Sequence, residues 1–124
     1  MRRILTCTCE GTMPLDAAAL GTVGCGDRAA HQLCRAQLDR FRAALDGAEA
    51  VTVACTQEAP TFREVAEDAG FAGDLRFVNI RETAGWSAEA GRAGPKMAAL
   101  IAASAVEAAP FATVTLESDG VALV

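Results

Sequence analysis

The chemistry of this sequence is concentrated in its cysteines, of which there are five in 124 residues. The count is odd and the first residues carry no apolar secretory signal, so we do not expect a disulfide framework. Four thiolates that meet in space suit an iron-sulfur cluster or a zinc ion. The five residues are Cys7, Cys9, Cys25, Cys34 and Cys55.

Four of these thiols follow predicted strands. Residues 3–7 form a short strand that ends in a thiol-bearing turn, residues 27–32 form a weaker strand, and the apolar run 51–55 is the clearest strand of the chain. In open parallel sheets, ligands bind where the carboxyl ends of the strands converge. We therefore expect one metal site at this edge, formed by Cys7, Cys9, Cys34 and Cys55.

Cys34 is also predicted to lie at the N-terminal edge of a helix over residues 35–46. Leu38, Phe41 and Leu45 give that segment an apolar stripe. A thiol at a helix N-terminus has a lowered pKa, because the helix dipole stabilises the thiolate. This interpretation predicts a thiolate that shares a pocket with other negative groups.

The spacing of the cysteines leaves simpler interpretations open. It matches neither the C-x₂-C pairs of structural zinc sites nor the C-x₂-C-x₂-C run of bacterial ferredoxins. Cys7 and Cys55 are equally well explained as buried strand residues, although burial explains the C-x-C pair poorly. Cys25 lies in a glycine-rich loop and is interpreted as an exposed, inert thiol. His31 offers a nitrogen ligand, but a polar residue before a helix is the commoner role.

The alternation of strands and helices predicts an α/β fold, a three-layer parallel sheet of the Rossmann or flavodoxin-like kind with flanking helices and a C-terminal hairpin. We assign residues 1–110 to this domain. Residues 111–124 are predicted to form the hairpin and to lead into a downstream region, because the chain ends within an apolar strand. The other predicted elements are a helix at 15–20 with Pro14 in its first turn, a helix that opens with a Thr61–Glu64 capping box and stops at Gly70, a strand at 75–80, a helical stretch from Ser87 to Ala105 broken at Gly94–Pro95, and hairpin strands at 113–117 and 121–124.

Longer segments resemble one protein family. They read CTCEGTMPLD at 7–16, LCR at 33–35, VACTQEAP at 53–60, FVNIRETAGWS at 77–87 and PKM at 95–97. These segments are similar to the N-terminal domain of bacterial 4Fe-4S-binding, ferredoxin-like proteins and, more distantly, to the N-terminal iron-sulfur region found in heterodisulfide reductase. The resemblance implies a [4Fe-4S] cluster whose cysteines match Cys7, Cys9, Cys34 and Cys55. It also implies ferredoxin-type cysteine motifs further along, and this chain has none.

Charge and hydropathy narrow the classes of function. The net charge is −5 and the largest basic cluster is Arg2–Arg3, which argues against binding to a nucleic-acid backbone. The longest apolar runs, such as 97–103, are too short to span a bilayer. The glycine-rich run 21–26 matches neither a Walker loop nor a Rossmann fingerprint. We expect a cytoplasmic protein that binds neither nucleic acid nor membrane.

The sequence therefore predicts an iron-sulfur domain that relays electrons between downstream ferredoxin-type domains of the same protein and a redox enzyme partner. Two alternatives remain open: a thiol-dependent enzyme or sulfur carrier that uses Cys55, and a docking module that is metal-free or holds zinc. Trp86 follows the predicted strand 75–80 and is expected at the same edge, where it shields the site or packs over a helix end.

Overall fold

A parallel β-sheet organises the chain, whose residues 1–25, 28–107 and 109–120 are described by a computed structural model. Its three strands lie side by side in sequence order and are β1 (Arg2–Leu5), β2 (Ala50–Val53) and β3 (Asp74–Phe77). Leu5 lies opposite Val53, and Val53 lies opposite Phe77. All three strands therefore end at the same edge of the sheet, which confirms the α/β class.

Four α-helices accompany the sheet in the described part of the chain. They are α1 (Ala17–Gly21), α2 (Leu38–Leu45), α3 (Ala59–Asp68) and α4 (Gly94–Ala103). A π-helical turn at Arg81–Gly85 and a 3₁₀ turn at Ala90–Arg92 fill the connection between β3 and α4. Right-handed crossovers that follow one another across a sheet place their helices on the same face, and α2 and α3 are in contact.

Two apolar cores are formed against the sheet, and β2, which is buried throughout, contributes alternate residues to one of them. Val51 and Val53 pack with α2 and α3, where the ring of Phe41 meets that of Phe62 edge-on with centroids 4.8 Å apart. Ala54, the next residue along, belongs to the other core, as expected for side chains that alternate along a strand. The largest fully buried members of that second core are Leu20, Ile80, Met97 and Ile101.

The segment just after β1 bonds to different neighbours on its two sides. On one side, the carbonyl of Leu5 accepts a hydrogen bond from the Ala54 amide. The next residues bond to Ala30 instead: Thr6 accepts from its amide and Thr8 donates to its carbonyl, both at 2.8 Å. Successive residues of an extended chain direct their backbone groups to opposite sides, so Ala30 and β2 flank this segment. Of the predicted strand at 27–32, the structure describes residues 28–32, and there it contains one parallel bridge, between Cys7 and Ala30.

Two helices begin elsewhere than predicted. α2 starts at Leu38 rather than 35, because the Gln37 side chain accepts hydrogen bonds from the amides of His31 and Gln32 and holds the preceding residues in turns. α3 starts at Ala59, so the predicted Thr61–Glu64 capping box is wrong. Its second residue is proline, which suits a first helical turn because the missing N–H has no partner there.

The connection between β3 and α4 also differs from the prediction. Ser87 does not begin a helix; its hydroxyl donates to the carbonyl of Ala84 and closes the π-helical turn. Gly94–Pro95 starts α4 as predicted, whereas the predicted strand 75–80 is shortened to Asp74–Phe77. The predicted helix at 15–20 is also displaced: α1 begins at Ala17, so Pro14 lies before the helix rather than in its first turn. Asp16 caps α1 by accepting a 3.0 Å hydrogen bond from the Ala19 amide.

The C-terminal hairpin is not found in the part of the chain that the structure describes. Residues 113–117 are exposed and carry no strand, and the predicted partner 121–124 lies outside the described residues. Among the described residues, none pairs with 113–117 in a ladder that would make this segment a strand. No helix in the described ranges combines the length and the apolar character that a membrane crossing needs.

Candidate functional site

All four predicted site thiols line one cavity at the carboxyl edge of the sheet. We call it the thiol cavity; its volume is about 310 Å³, and its walls include Cys7, Cys9, Cys34, Cys55, Arg81 and Trp86. The thiols come from three separate loops that follow β1, the Ala30 bridge and β2. The structure therefore brings together the residues that sequence spacing placed at one edge.

The turn after β1 presents the first two thiols in a backbone conformation that is rare outside glycine. Cys9 and Glu10 have φ angles of 52° and 61°, and Gly11 follows at 76°. The sulfur of Cys7 accepts hydrogen bonds from the amides of Cys9 at 3.4 Å and Leu33 at 3.5 Å. Amide donors of this kind stabilise a thiolate or a metal-bound sulfur.

Cys34 does not have the environment that was predicted for it. It lies in turns four residues before α2 begins, so the helix dipole does not act on it directly. Burial is the main reason that its pKa is raised rather than lowered, and the negative charges of Glu58 and of neighbouring Cys55 and Cys7 thiolates add to the effect. The predicted lowering of the Cys34 pKa is wrong.

Cys55 lies directly after β2 and before α3. Burial raises the pKa of its thiol, while hydrogen bonds from the amides of Glu58 and Gln57 and the charge of Arg81 act in the opposite direction. The net direction is upward, so the thiol is mainly protonated at neutral pH. A protonated thiol is a weak nucleophile, but it remains a competent ligand once a metal displaces its proton.

Cys25 stands apart from the other thiols. Only 8% of its surface is exposed, and it packs in the core formed by α1 and α4 rather than beside the thiol cavity. Its sulfur donates to the carbonyl of Leu20 at 3.3 Å, and burial raises its pKa. The prediction that it is an exposed thiol is wrong, because the turn after α1 folds it inward.

Arg81 is the functional candidate that sequence spacing missed. Its Nη1 donates to the sulfur of Cys9 at 3.3 Å, and its guanidinium lies 4.1 Å from the ring centroid of Trp86. The hydrogen bonds to Glu82 and Cys9 raise its pKa, so it is a permanent cation. The sequence feature that could have identified Arg81 is its position after β3, at the carboxyl edge of the sheet where loops converge.

Trp86 and His31 both reach the same cavity. Trp86 is 51% exposed, and its indole nitrogen donates to the hydroxyl of Thr12 at 3.0 Å, which confirms its predicted place at this edge. His31 lies at the rim, with Nδ1 3.1 Å from the hydroxyl of Thr8. That contact occupies one ring nitrogen and leaves Nε2 as the only one available to a ligand.

The thiol cavity is larger than a single metal ion requires. Within residues 1–25, 28–107 and 109–120, no three side chains of His, Cys, Asp or Glu converge closely enough to surround one metal ion. Zinc needs four ligands at about 2.3 Å from a common centre, whereas the ligands of a cluster attach to separate iron atoms. The volume is roughly twenty times what one water molecule needs. The cavity therefore has room for a group larger than one ion, and four thiols line it.

Comparison with known proteins adds no assignment. The chain gave no significant match to any protein-family model, to any curated protein or to any solved structure.

Proposed function

We propose that this chain is an iron-sulfur domain that holds a [4Fe-4S] cluster in the thiol cavity. Its ligands would be Cys7, Cys9, Cys34 and Cys55. The observation that carries the proposal is that these four cysteines, from loops far apart in sequence, line a single cavity while the fifth is buried elsewhere. If the cysteines were only core residues, there would be no reason for four of them to line the same cavity.

Hydrogen-bond donors around the cavity support the same function. A cluster with its thiolate ligands carries net negative charge, and donors to the sulfurs stabilise that charge. Amides donate to Cys7, amides near the start of α3 face Cys55, and Arg81 donates to Cys9. When bound, the cluster supplies one-electron transfer; the chain's own residues orient the sulfurs, balance their charge and limit access of water.

The wider setting is part of the proposal. We infer that electrons pass between this site, ferredoxin-type domains of the same protein and a redox enzyme in the cytoplasm. The resemblance of residues 7–16 and 77–87 to bacterial 4Fe-4S-binding proteins supports this inference. The two cores formed against the sheet support a three-layer arrangement of the Rossmann or flavodoxin-like kind.

A thiol-dependent enzyme or sulfur carrier is the second candidate. The contact of Arg81 with Cys9 favours it, because the guanidinium would lie beside the sulfur that reacts. Cys55 is the poorer nucleophile of this site, since burial raises its pKa. In this alternative Cys9 would carry the chemistry.

Anaerobic reconstitution with iron and sulfide tests the proposal. We expect about four irons and four sulfides per chain, with a thiolate-to-iron charge-transfer spectrum. Cys9→Ser and Cys55→Ser should each lose most of the iron. Cys25→Ser is the matched control and should load as wild type, because that thiol lies in the other core.

Two results would contradict the cluster. One is wild-type protein that takes up no iron under conditions that load a ferredoxin standard. The other is equal loading of the Cys9→Ser, Cys55→Ser and Cys25→Ser variants, which would show adventitious iron. Colourless protein that binds one zinc per chain would favour the docking module instead.

A further inference from the structure

Arg81 makes a direct contact with a site sulfur. The guanidinium donates to the Cys9 sulfur at 3.3 Å, and the arginine side chain is only 17% exposed. One of its planar faces lies over the indole of Trp86. A half-buried cation in contact with a ligand sulfur is screened less by water than a fully exposed one, so its effect on that sulfur is larger.

The position of this guanidinium is fixed from several sides. The carboxylate of Glu82 accepts from Nε at 2.9 Å and from Nη2 at 2.5 Å, which leaves Nη1 directed at Cys9. The indole of Trp86 donates to the Thr12 hydroxyl, and that hydroxyl donates to the carbonyl of Cys9 at 2.7 Å. Cys9, Arg81, Trp86 and Thr12 therefore form a closed ring of contacts.

We propose that Arg81 is a positioning residue that holds the Cys9 sulfur in the thiol cavity and places a fixed positive charge beside it, which favours the reduced state of the cluster site. The proposal rests on the proposed function. Reduction adds one electron, supplied from outside by a reductant such as dithionite, and therefore one negative charge to the cavity. A fixed cation lowers the energy of the more negative state, so it raises the midpoint potential.

Two substitutions separate the charge from the shape of this side chain. Arg81→Gln keeps a polar side chain but removes the cation, and we expect a lower midpoint potential with iron content preserved. Arg81→Lys keeps the charge but not the planar fork or the stacking on Trp86. The midpoint potential of this variant should therefore lie between those of wild type and Arg81→Gln. Arg92→Gln is the control, because Arg92 is 81% exposed and its salt bridge is to Glu89, away from the cavity.

The test is a redox titration of the four reconstituted proteins by visible and electron paramagnetic resonance spectroscopy. A potential of Arg81→Gln equal to that of wild type and Arg92→Gln, at equal iron content, overturns the proposal. If Arg81→Gln holds no iron, the loading of Arg81→Lys is the deciding measurement. Full loading of Arg81→Lys supports a requirement for the positive charge, and failure of both variants to load iron overturns the proposal.

A measurement on metal-free protein keeps this inference separate from the proposed function. Trp86 is the single tryptophan of the chain, so its fluorescence reports on the ring of contacts alone. Arg81→Gln should increase acrylamide quenching of that fluorescence, since one face of the indole loses its cover, and Arg92→Gln should not. Quenching that changes while wild type takes up no iron would reject the cluster but not the contact; unchanged quenching would reject the contact itself.

Discussion

Gly85 is the residue whose replacement should disturb the site most specifically. It ends the π-helical turn that carries Arg81, and its backbone lies against Met13, a residue at the end of the Cys9 turn. A Cβ atom at position 85 would lie 2.9 Å from the Cβ of Met13 and closer still to its sulfur. Real side chains do not approach so closely, so Gly85→Ala must push the two segments apart.

The magnitude follows from two opposing effects. Overpacking a close-packed site costs about 1–3 kcal/mol. Replacing a helical glycine by alanine increases the free energy of unfolding by about 0.5–1 kcal/mol, because the unfolded chain has fewer conformations to lose. The difference is a net loss of about 1 kcal/mol in the free energy of unfolding of Gly85→Ala, within a range of about 0–2.5 kcal/mol. The midpoint potential of the loaded site should also fall, because Arg81 moves away from Cys9.

Urea denaturation followed by circular dichroism measures this loss. Gly91→Ala is the matched control, since a Cβ there meets no atom within 4 Å, and it should be neutral or slightly stabilising. In a double-mutant cycle with Met13→Ala, the combined cost should be smaller than the sum of the single costs by about 1 kcal/mol or more. Equal stabilities of Gly85→Ala and Gly91→Ala, or strict additivity in the cycle, would refute the clash.

Two further predictions concern the metal-free protein. Burial raises the pKa of Cys25 above that of an unfolded thiol, about 8.5, so its contribution to stability is complete below that pH and is lost as the pH rises through the folded value. Urea titrations should show stability falling as the pH rises above about 8.5, with a shallower fall in Cys25→Ala; an identical slope in both proteins would contradict the assignment. Glu10→Gly should have a free energy of unfolding about 1 kcal/mol larger than that of Glu10→Ala, and therefore a higher urea midpoint. The reason is that only glycine adopts a φ near 61° without strain. Equal midpoints for these two variants would show that the left-handed conformation at Glu10 carries no cost.

The parts of the fold that sequence reasoning predicted correctly depend on strong local patterns. The β-branched run at 51–53 is fully buried in β2, and Gly70 ends α3 with a φ of 67°. Because parallel strands finish at one edge, finding the strands was enough to predict that the thiols would share a cavity. Neither step needed any knowledge of long-range packing.

The errors arose where a neighbouring residue or burial competes with the simplest local pattern. The Thr61–Glu64 pair matches a capping box, yet α3 begins three residues earlier, with Pro60 in its first turn. The side chain of Gln37 takes the amides of His31 and Gln32 and delays α2. Cys34 consequently lies in a turn, where burial and negative neighbours govern its pKa instead of a helix dipole.

Arg81 could not be identified from spacing because its partner is far away in sequence. Nothing local distinguishes an arginine after a strand from a solvated one. Its role depends on β3 and β1 ending at the same edge on either side of β2, and on a π-helical turn that directs the guanidinium back toward Cys9. Such a contact is a property of the assembled sheet edge.

The backbone of the Cys9 turn gives an independent reason to regard this edge as a site. Cys9 and Glu10 are adjacent and both left-handed, at a cost of about 1–2 kcal/mol each for residues with a side chain. A loop that served only to connect β1 to α1 would relieve that cost with glycine. The conformation is instead held by a 2.8 Å bond from the Glu10 amide to the carbonyl of His31 and a 3.1 Å bond from the Gly11 amide to the hydroxyl of Thr8. Strain maintained by surrounding bonds is typical of functional positions, and here it directs the Cys9 sulfur to Arg81 and the cavity.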